Sequence, residues 1–415
     1  MNPSKSNKGQ FYLLFFVSPL ISLINSFRFR ENGVYKNILW LFVVFYGLTI
    51  CFPRGDQSLD GYRRFKSFEM SSFRNDYSFS QFQSEFSDDD NTNTDFFEPL
   101  LVYAVSRFTS NPHIMFGVYG LIFGFFYSRN LSYVLDRVSQ KNIAPLFLLL
   151  LALAILNPFW NLGGFRYCFA THLFLYSLLP YFFENKKKNL IWLFLTPFVH
   201  FSYLFAVLVF LVYWLAGNRM FIYFFYYIFC FFLGRIDIPF FTSILSFIPS
   251  TAIQEKGKAY TYDKYVDRVT DIKNISLNWY AIFSSEFIYW FVFATIIFCF
   301  IRYRKIISEQ YKPIFSFILF YMGSTFLVSS VPSMPRFLIL GNMLVFTFLI
   351  LFANRNIKIK GLGPYLSWTK WGLLIFIIVN IRLAFDTVSF VSLFTNPIIA
   401  PFFSEGNFSM IDIFK

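Results

Sequence analysis

Residues 190–214 read LIWLFLTPFVHFSYLFAVLVFLVYW, a stretch with no Asp, Glu, Lys or Arg and with one histidine, His200. As a helix, a run of this length covers roughly 30 Å of hydrocarbon, so it reads as a membrane span and sets the class of the chain. A polar ring held at that depth costs free energy and marks either a structural hydrogen bond to a neighbouring helix or a functional group. Pro197 frees a backbone carbonyl nearby, so both readings of His200 stand.

The rest of the chain agrees with that stretch. Of 415 residues, 56% are hydrophobic and 14% charged, and apolar runs recur along the sequence. Such runs cover about 11–26, 38–52, 114–128, 143–157, 165–183, 190–215, 220–234, 238–249, 280–301, 313–330, 337–353 and 368–385. The expected fold is all-α, a polytopic helical bundle of about 11–12 transmembrane helices forming one integral membrane domain over residues 1–415. The 64 phenylalanines read as filler for lipid-facing and interhelical surface. Cys51, Cys168, Cys230 and Cys299 lie in or beside apolar runs without C-x-x-C spacing, which fits packing and neither a disulfide nor a metal site. The N-terminal run carries no cleavage signal before a soluble domain and reads as a retained span.

Short basic connections set the orientation. Five of them, Arg28/Arg30/Lys36, Arg129/Arg137/Lys141, Lys186/Lys187/Lys188, Arg302/Arg304/Lys305/Lys312 and Arg355/Lys358/Lys360, fit one alternating topology with these turns on the cytoplasmic side. The net charge of +13 is then mostly cytoplasmic anchoring, and no nucleic-acid partner is implied. In this scheme Lys5 and Lys8 fall on the outer side, against the rule. The outer face carries an acid- and aromatic-rich loop at 53–113, with a short interfacial helix expected from Phe96 to Phe108. It also carries a polar loop at 250–279, long enough to act as a lid, and a tail at 386–415. No internal repeat is evident, which weighs against an inverted-repeat transporter.

Counting along helices from the basic turns places His200 roughly 18 Å from Lys188, Arg166 roughly 30 Å from Lys186 and Arg336 roughly 28 Å from Arg355. The two arginines then sit at the outer boundary, flanked by Gly163-Gly164 and by Pro332 and Pro335, with His200 about 10 Å deeper. An arginine at a span's end is often a snorkelling anchor, yet an outer position runs against the positive-inside bias. His172 lies on another face from Arg166 and reads as packing, and His113 reads as a solvated turn residue. Asp88-Asp89-Asp90 reads as a hydrated loop rather than a cation site.

Several pieces, in this order, resemble the EpsG family of polysaccharide polymerases, functional relatives of Wzy-type O-antigen polymerases. They are Asp60-Gly61-Tyr62, Glu98-Pro99 opening a short apolar stretch, Arg166 with Ala170 in FRYCFA, the turn ENKKKN, His200-Phe201-Ser202, and Pro335-Arg336-Phe337. The resemblance spans about residues 40–350 as a pattern of short motifs, and Tyr167 departs from the more polar residue expected after the arginine.

The resemblance implies a GT-C-like membrane glycosyltransferase of the bacterial inner membrane with its site facing the periplasm. Its reaction would transfer a growing chain from undecaprenyl pyrophosphate to a sugar hydroxyl of the next lipid-linked repeat unit, building O-antigen, capsule or exopolysaccharide. Arg166 and Arg336 would stabilise the departing diphosphate, as permanently charged bidentate donors can. His200 would accept the hydroxyl proton, with Asp60 and Glu98 as alternates or acceptor-binding groups. Tyr62, Arg63, Arg107 and Tyr167 join the two arginines as expected substrate-binding residues. No cofactor or metal is expected. The expected partners are the lipid-linked oligosaccharide and the bilayer, with room for a chain-length regulator protein. A lipid-linked oligosaccharide flippase or transporter, an O-antigen ligase, or another lipid-sugar-dependent glycosyltransferase are the competing readings.

Overall fold

The computed structural model describes residues 8–52, 60–72, 95–233, 278–329, 336–356, 359–400 and 408–413. In chain order the helices are α1 (Lys8–Val17), α2 (Pro19–Arg28), α3 (Tyr35–Thr49), α4 (Asp60–Ser72), α5 (Phe97–Ser106), α6 (Pro112–Leu135), α7 (Ile143–Leu156) and α8 (Phe165–Glu184). They continue with α9 (Leu190–Val199), α10 (Tyr203–Ala216), α11 (Met220–Leu233), α12 (Trp279–Tyr303), α13 (Lys312–Leu327), α14 (Phe337–Asn356), α15 (Leu362–Ala384) and α16 (Phe390–Phe394). Among the described residues the one β contact is an isolated antiparallel bridge between Ser389 and Ser409. Among the described residues, four stretches are long and apolar enough to cross a bilayer by length and composition: Gln140–Glu184, Trp279–Tyr303, Phe337–Asn356 and Leu362–Ala384. The expected run at 238–249, the acids Asp88 to Asp90 and the lid expected at 250–279, up to residue 277, lie outside the described residues.

Two expected spans are broken. Over residues 11–26 the chain forms α1 and α2, because Ser18 is extended (φ −153°, ψ 102°) and Pro19 restarts the helix. Ser22 Oγ donates to the Phe11 carbonyl at 2.7 Å, and the Phe11 and Phe29 rings are 6.1 Å apart. A continuous helix would hold those pairs roughly 16 and 27 Å apart, so α2 folds back on α1. The run at 190–215 divides into α9 and α10 at His200, which leaves the helix with φ −149° and ψ 109°. Pro197 begins that break: it has no N–H for the Leu193 carbonyl, and the Thr196 hydroxyl bonds that carbonyl instead at 2.6 Å.

The five basic turns meet at one end of the bundle. Arg30 donates to the carbonyls of Leu135 and Val138 at 2.7 and 2.8 Å, closing the C-terminus of α6. Asn354 joins the last of these turns to the same place through Ser139, Asn142 and the Arg137 carbonyl. Arg137 pairs with Glu184, beside Lys186, and Arg355 donates to Gln310.

A close seam sets the opposite end. Helix α3 runs along α6, and a Cβ built on Gly47 would lie 2.2 Å from the Phe116 carbonyl oxygen, while one on Gly120 would lie 2.6 Å from that of Val43. Only hydrogen fits at these two positions, which brings the backbones together and fixes Phe116 and Tyr119 at the start of α6. Nearby, a Cβ on Gly61 would lie 3.1 Å from the Gly163 Cα, so the first turn of α4 rests on the turn before α8. The described part of the tail is docked: Ser389 Oγ donates to the Thr49 carbonyl and Met410 N–H to the Val388 carbonyl.

Candidate functional site

The Gly61–Gly163 contact places Arg64 and Arg166, each three residues further on, on facing elements at the end away from the basic turns. Helix α5 supplies the carboxylates between them. Asp95 stands just before α5 with its side chain 4% exposed, and Glu98 lies in the first turn with its side chain 10% exposed. Arg166 Nη1 donates to Asp95 Oδ2 at 2.7 Å, and Arg166 Nε is ion-paired with Glu98 Oε2 at 2.9 Å. Arg64 Nη1 lies 2.8 Å from Glu98 Oε1, which also accepts from the Tyr119 hydroxyl at 2.9 Å. Two buried carboxylates thus meet two guanidiniums and a phenol, which satisfies the charges locally.

The broken helix completes the group. In a continuous helix Phe201 N–H would bond the carbonyl four residues back; here it donates to Asp95 Oδ1 at 2.6 Å. His200 Nδ1 lies 3.1 Å from Asp95 Oδ2. An ionised carboxylate only accepts, so Nδ1 carries the hydrogen and the lone pair of a neutral ring is left on Nε2. Among the described residues Nε2 has no hydrogen-bond partner. Burial by itself would push the Asp95 carboxyl up; the His200 hydrogen bond and charge, the Phe201 N–H and Arg166 outweigh it and hold the group well below the usual carboxylate range.

Arg336 stands one helix away. Tyr167 donates its hydroxyl to the Arg336 carbonyl at 2.5 Å, the Arg336 guanidinium lies 6.0 Å from the centre of the Tyr167 ring, and that ring is 6.4 Å from the His200 ring. Arg336 is exposed, sits at the start of α14 and has no carboxylate partner among the described residues. The helix dipole at that end adds to its positive potential.

The sequence-level residues therefore divide. His200, Arg166 and Glu98 are brought together, with Tyr167 and Arg336 adjoining. Asp60 is not among them: it lies at the exposed start of α4 and pairs with Arg63, which also faces outward. Tyr62 is half-buried on the same helix. Arg107 ends α5 with its guanidinium 4.6 Å above the Tyr103 ring. One expectation changes in kind, because Arg166 is held by two carboxylates instead of facing a ligand with its charge open. The expected 10 Å gap between His200 and the arginines is bridged by the Arg166 side chain and Asp95. His172 packs as expected, with Nε2 on the Asn157 carbonyl at 3.1 Å, whereas His113 is half-buried against Phe65 rather than solvated. Arg64, Asp95 and Tyr119 are the members that sequence reasoning missed. The charged Arg64 three residues after Gly61, on the face that also carries Phe68, was the available signal.

Comparison of the chain with family models, with curated proteins and with solved structures gives no match.

Proposed function

We propose that this chain is a membrane-embedded glycosyltransferase that polymerises lipid-linked oligosaccharide repeat units, with its site on the side opposite the basic turns. The observation that carries this reading is the pairing of buried Asp95 with His200 beside the exposed Arg336. It sets a proton acceptor, His200 Nε2, near a cation with no carboxylate partner among the described residues.

In this reading Arg336 and the start of α14 bind the diphosphate of the donor. The hydroxyl of the acceptor sugar attacks the anomeric carbon of the donor, forming the new glycosidic C–O bond as the bond to the diphosphate oxygen breaks. The electron pair of that bond leaves on the diphosphate, where Arg336 offsets the charge. The hydroxyl proton passes to His200 Nε2, while Asp95 holds the imidazole in the required tautomer. Arg166, Arg64 and Glu98 keep Asp95 charged and in place. Arg166 acts through Asp95 rather than on the leaving group, and Asp60 takes no part. The bundle would cross the inner membrane with the five basic turns in the cytoplasm.

The test is made in cells lacking the chain and complemented with variants. Arg336→Ala and His200→Ala, present in the membrane at the parental level, are expected to abolish long polymer and to accumulate single repeat units on lipid. Normal polymer from both variants would overturn the assignment. Accumulation of substrate on the cytoplasmic leaflet would favour a flippase instead.

A further inference from the structure

The N-terminal helices make a second departure from the expected topology, independent of the reaction. Both ends of the α1–α2 pair lie at the basic end of the bundle. At the far end of α2, Arg30 is bonded to the C-terminus of α6. At the near end of α1, the Tyr12 hydroxyl accepts from Asn37 Nδ2 at 3.1 Å, two residues into α3, and Asn37 in turn accepts from Arg129. The turn between the helices points the other way. Phe15 packs on Phe45 at 6.4 Å between ring centres, and Phe45 is ten residues along α3 from Tyr35, a rise of about 15 Å. Helix α2 also touches α16, which is tied to Thr49 at the other end of α3.

The pair presents two chemically different faces. Phe11, Phe15, Pro19, Ser22 and Ser26 are buried against each other and against α3. Leu13, Val17 and Ile24 on the outside are 71, 69 and 61% exposed. The turn itself leaves little backbone to hydrate: Ser18 N–H bonds the Leu14 carbonyl, Ser18 accepts from Ser22 N–H, and Pro19 has no N–H. A turn that leaves Leu20 N–H as its one donor without a partner among the described residues, under an apolar outer face, is suited to hydrocarbon.

We propose that residues 8–28 form a re-entrant hairpin that enters the bilayer from the side of the basic turns and returns to it, its outer face covered by acyl chains. Lys8 then lies on the same side as the Arg28–Gly33 turn and joins the other basic residues, which removes its conflict with a single crossing at 11–26. The placement of the later helices is unchanged by this, since the chain still enters α3 from the basic side.

The experiment uses the full chain in membrane vesicles of known sidedness, with Lys8→Cys and Glu31→Cys, both at exposed positions, treated with a membrane-impermeant maleimide. Labelling above the parental level from one and the same side of the membrane is expected for both. Labelling from opposite sides would overturn the hairpin. A protease-cleavable tag before Met1 gives the same readout without a substitution in the helices, and must be cut from the side that labels Glu31→Cys. Depth is read from a fluorophore on Val17→Cys in lipids brominated along the acyl chain or near the headgroup. Stronger quenching by the mid-chain bromines supports insertion, and quenching by the headgroup-level bromines alone would show a surface helix pair and overturn it. Neither readout depends on polymer synthesis, so failure here leaves the proposed reaction untouched.

Discussion

Asp95→Asn separates the role of the carboxylate from its shape. Asp95 accepts from Phe201 N–H at 2.6 Å, from Arg166 Nη1 at 2.7 Å and from His200 Nδ1 at 3.1 Å. An amide of the same size has one acceptor oxygen and a two-hydrogen donor. With the oxygen kept on Phe201 N–H, the new NH₂ faces the Arg166 guanidinium, donor against donor. It also faces His200 Nδ1, which accepts only by giving up its hydrogen. The imidazole then carries its proton on Nε2, and the acceptor position is lost. Breaking a fully buried pair costs about 3–5 kcal/mol, but Arg166 keeps Glu98 and is 35% exposed, so a discounted stability cost of about 1–2 kcal/mol is expected. The reaction suffers more: a reversed tautomer at a histidine base slows turnover on the order of 10⁴-fold, which corresponds to about 5 kcal/mol in the barrier. The assay compares purified parent and variant in nanodiscs, reading thermal unfolding by tryptophan fluorescence and chain elongation on lipid-linked repeat units. Elongation within a few-fold of the parent, from a variant that unfolds normally, would refute the assigned role of Asp95.

The other expectations follow from the same contacts. Because the folded Asp95 carboxyl lies below its unfolded value of about 3.9, its stabilisation is fully present above that value and is lost as pH falls through the folded pKa. The thermal midpoint of the parent should therefore fall more steeply below about pH 4 than that of Asp95→Asn. Equal acid limbs would contradict the shift. Arg64→Ala strands Glu98 from one of its cations and should cost about 1–3 kcal/mol, whereas the exposed Arg63→Ala should stay within about 0.5 kcal/mol. Chemical denaturation of the two variants checks the order, and equal losses would be wrong for this geometry. Gly47→Val forces a Cβ to within 2.2 Å of the Phe116 carbonyl and should cost about 3 kcal/mol or more by separating α3 from α6. Detergent stability unchanged from the parent would count against the seam.

Residues that owe their place to one long apolar run were legible, and those placed by a break were not. His200 stood out because it is the lone histidine in 190–214, and Arg166 because glycines precede it at a helix start. The depth count to His200 ran along α9, which is helical up to Val199, so it could not show that the chain turns extended at His200 and frees Phe201 N–H for Asp95. Residues 11–26 misled for the same reason: ten-residue helices on either side of Ser18-Pro19 have the composition of one span. Asp95 was hidden at the end of an acid-rich loop, and its place directly before Phe96 and Phe97 was the one signal that set it apart from Asp88, Asp89 and Asp90. Helix α4 went unread because its mean composition is polar, and its inward face shows only once Gly61 is seated on Gly163. The hydrogen bonds of the five basic turns gather them at one end, which a single alternating set requires, and the C-terminus of α10 joins them there through Tyr213 on the Pro313 carbonyl.

Release of the lipid diphosphate is the measurement closest to the central claim. Repeat units extracted from cells lacking the chain are supplied to the purified protein in nanodiscs, and undecaprenyl diphosphate and chain length are followed together. The account predicts one diphosphate released for each glycosidic bond formed, and loss of both with Arg336→Ala or His200→Ala. Units left intact by the folded parent protein, or elongation that persists in both variants, would contradict it.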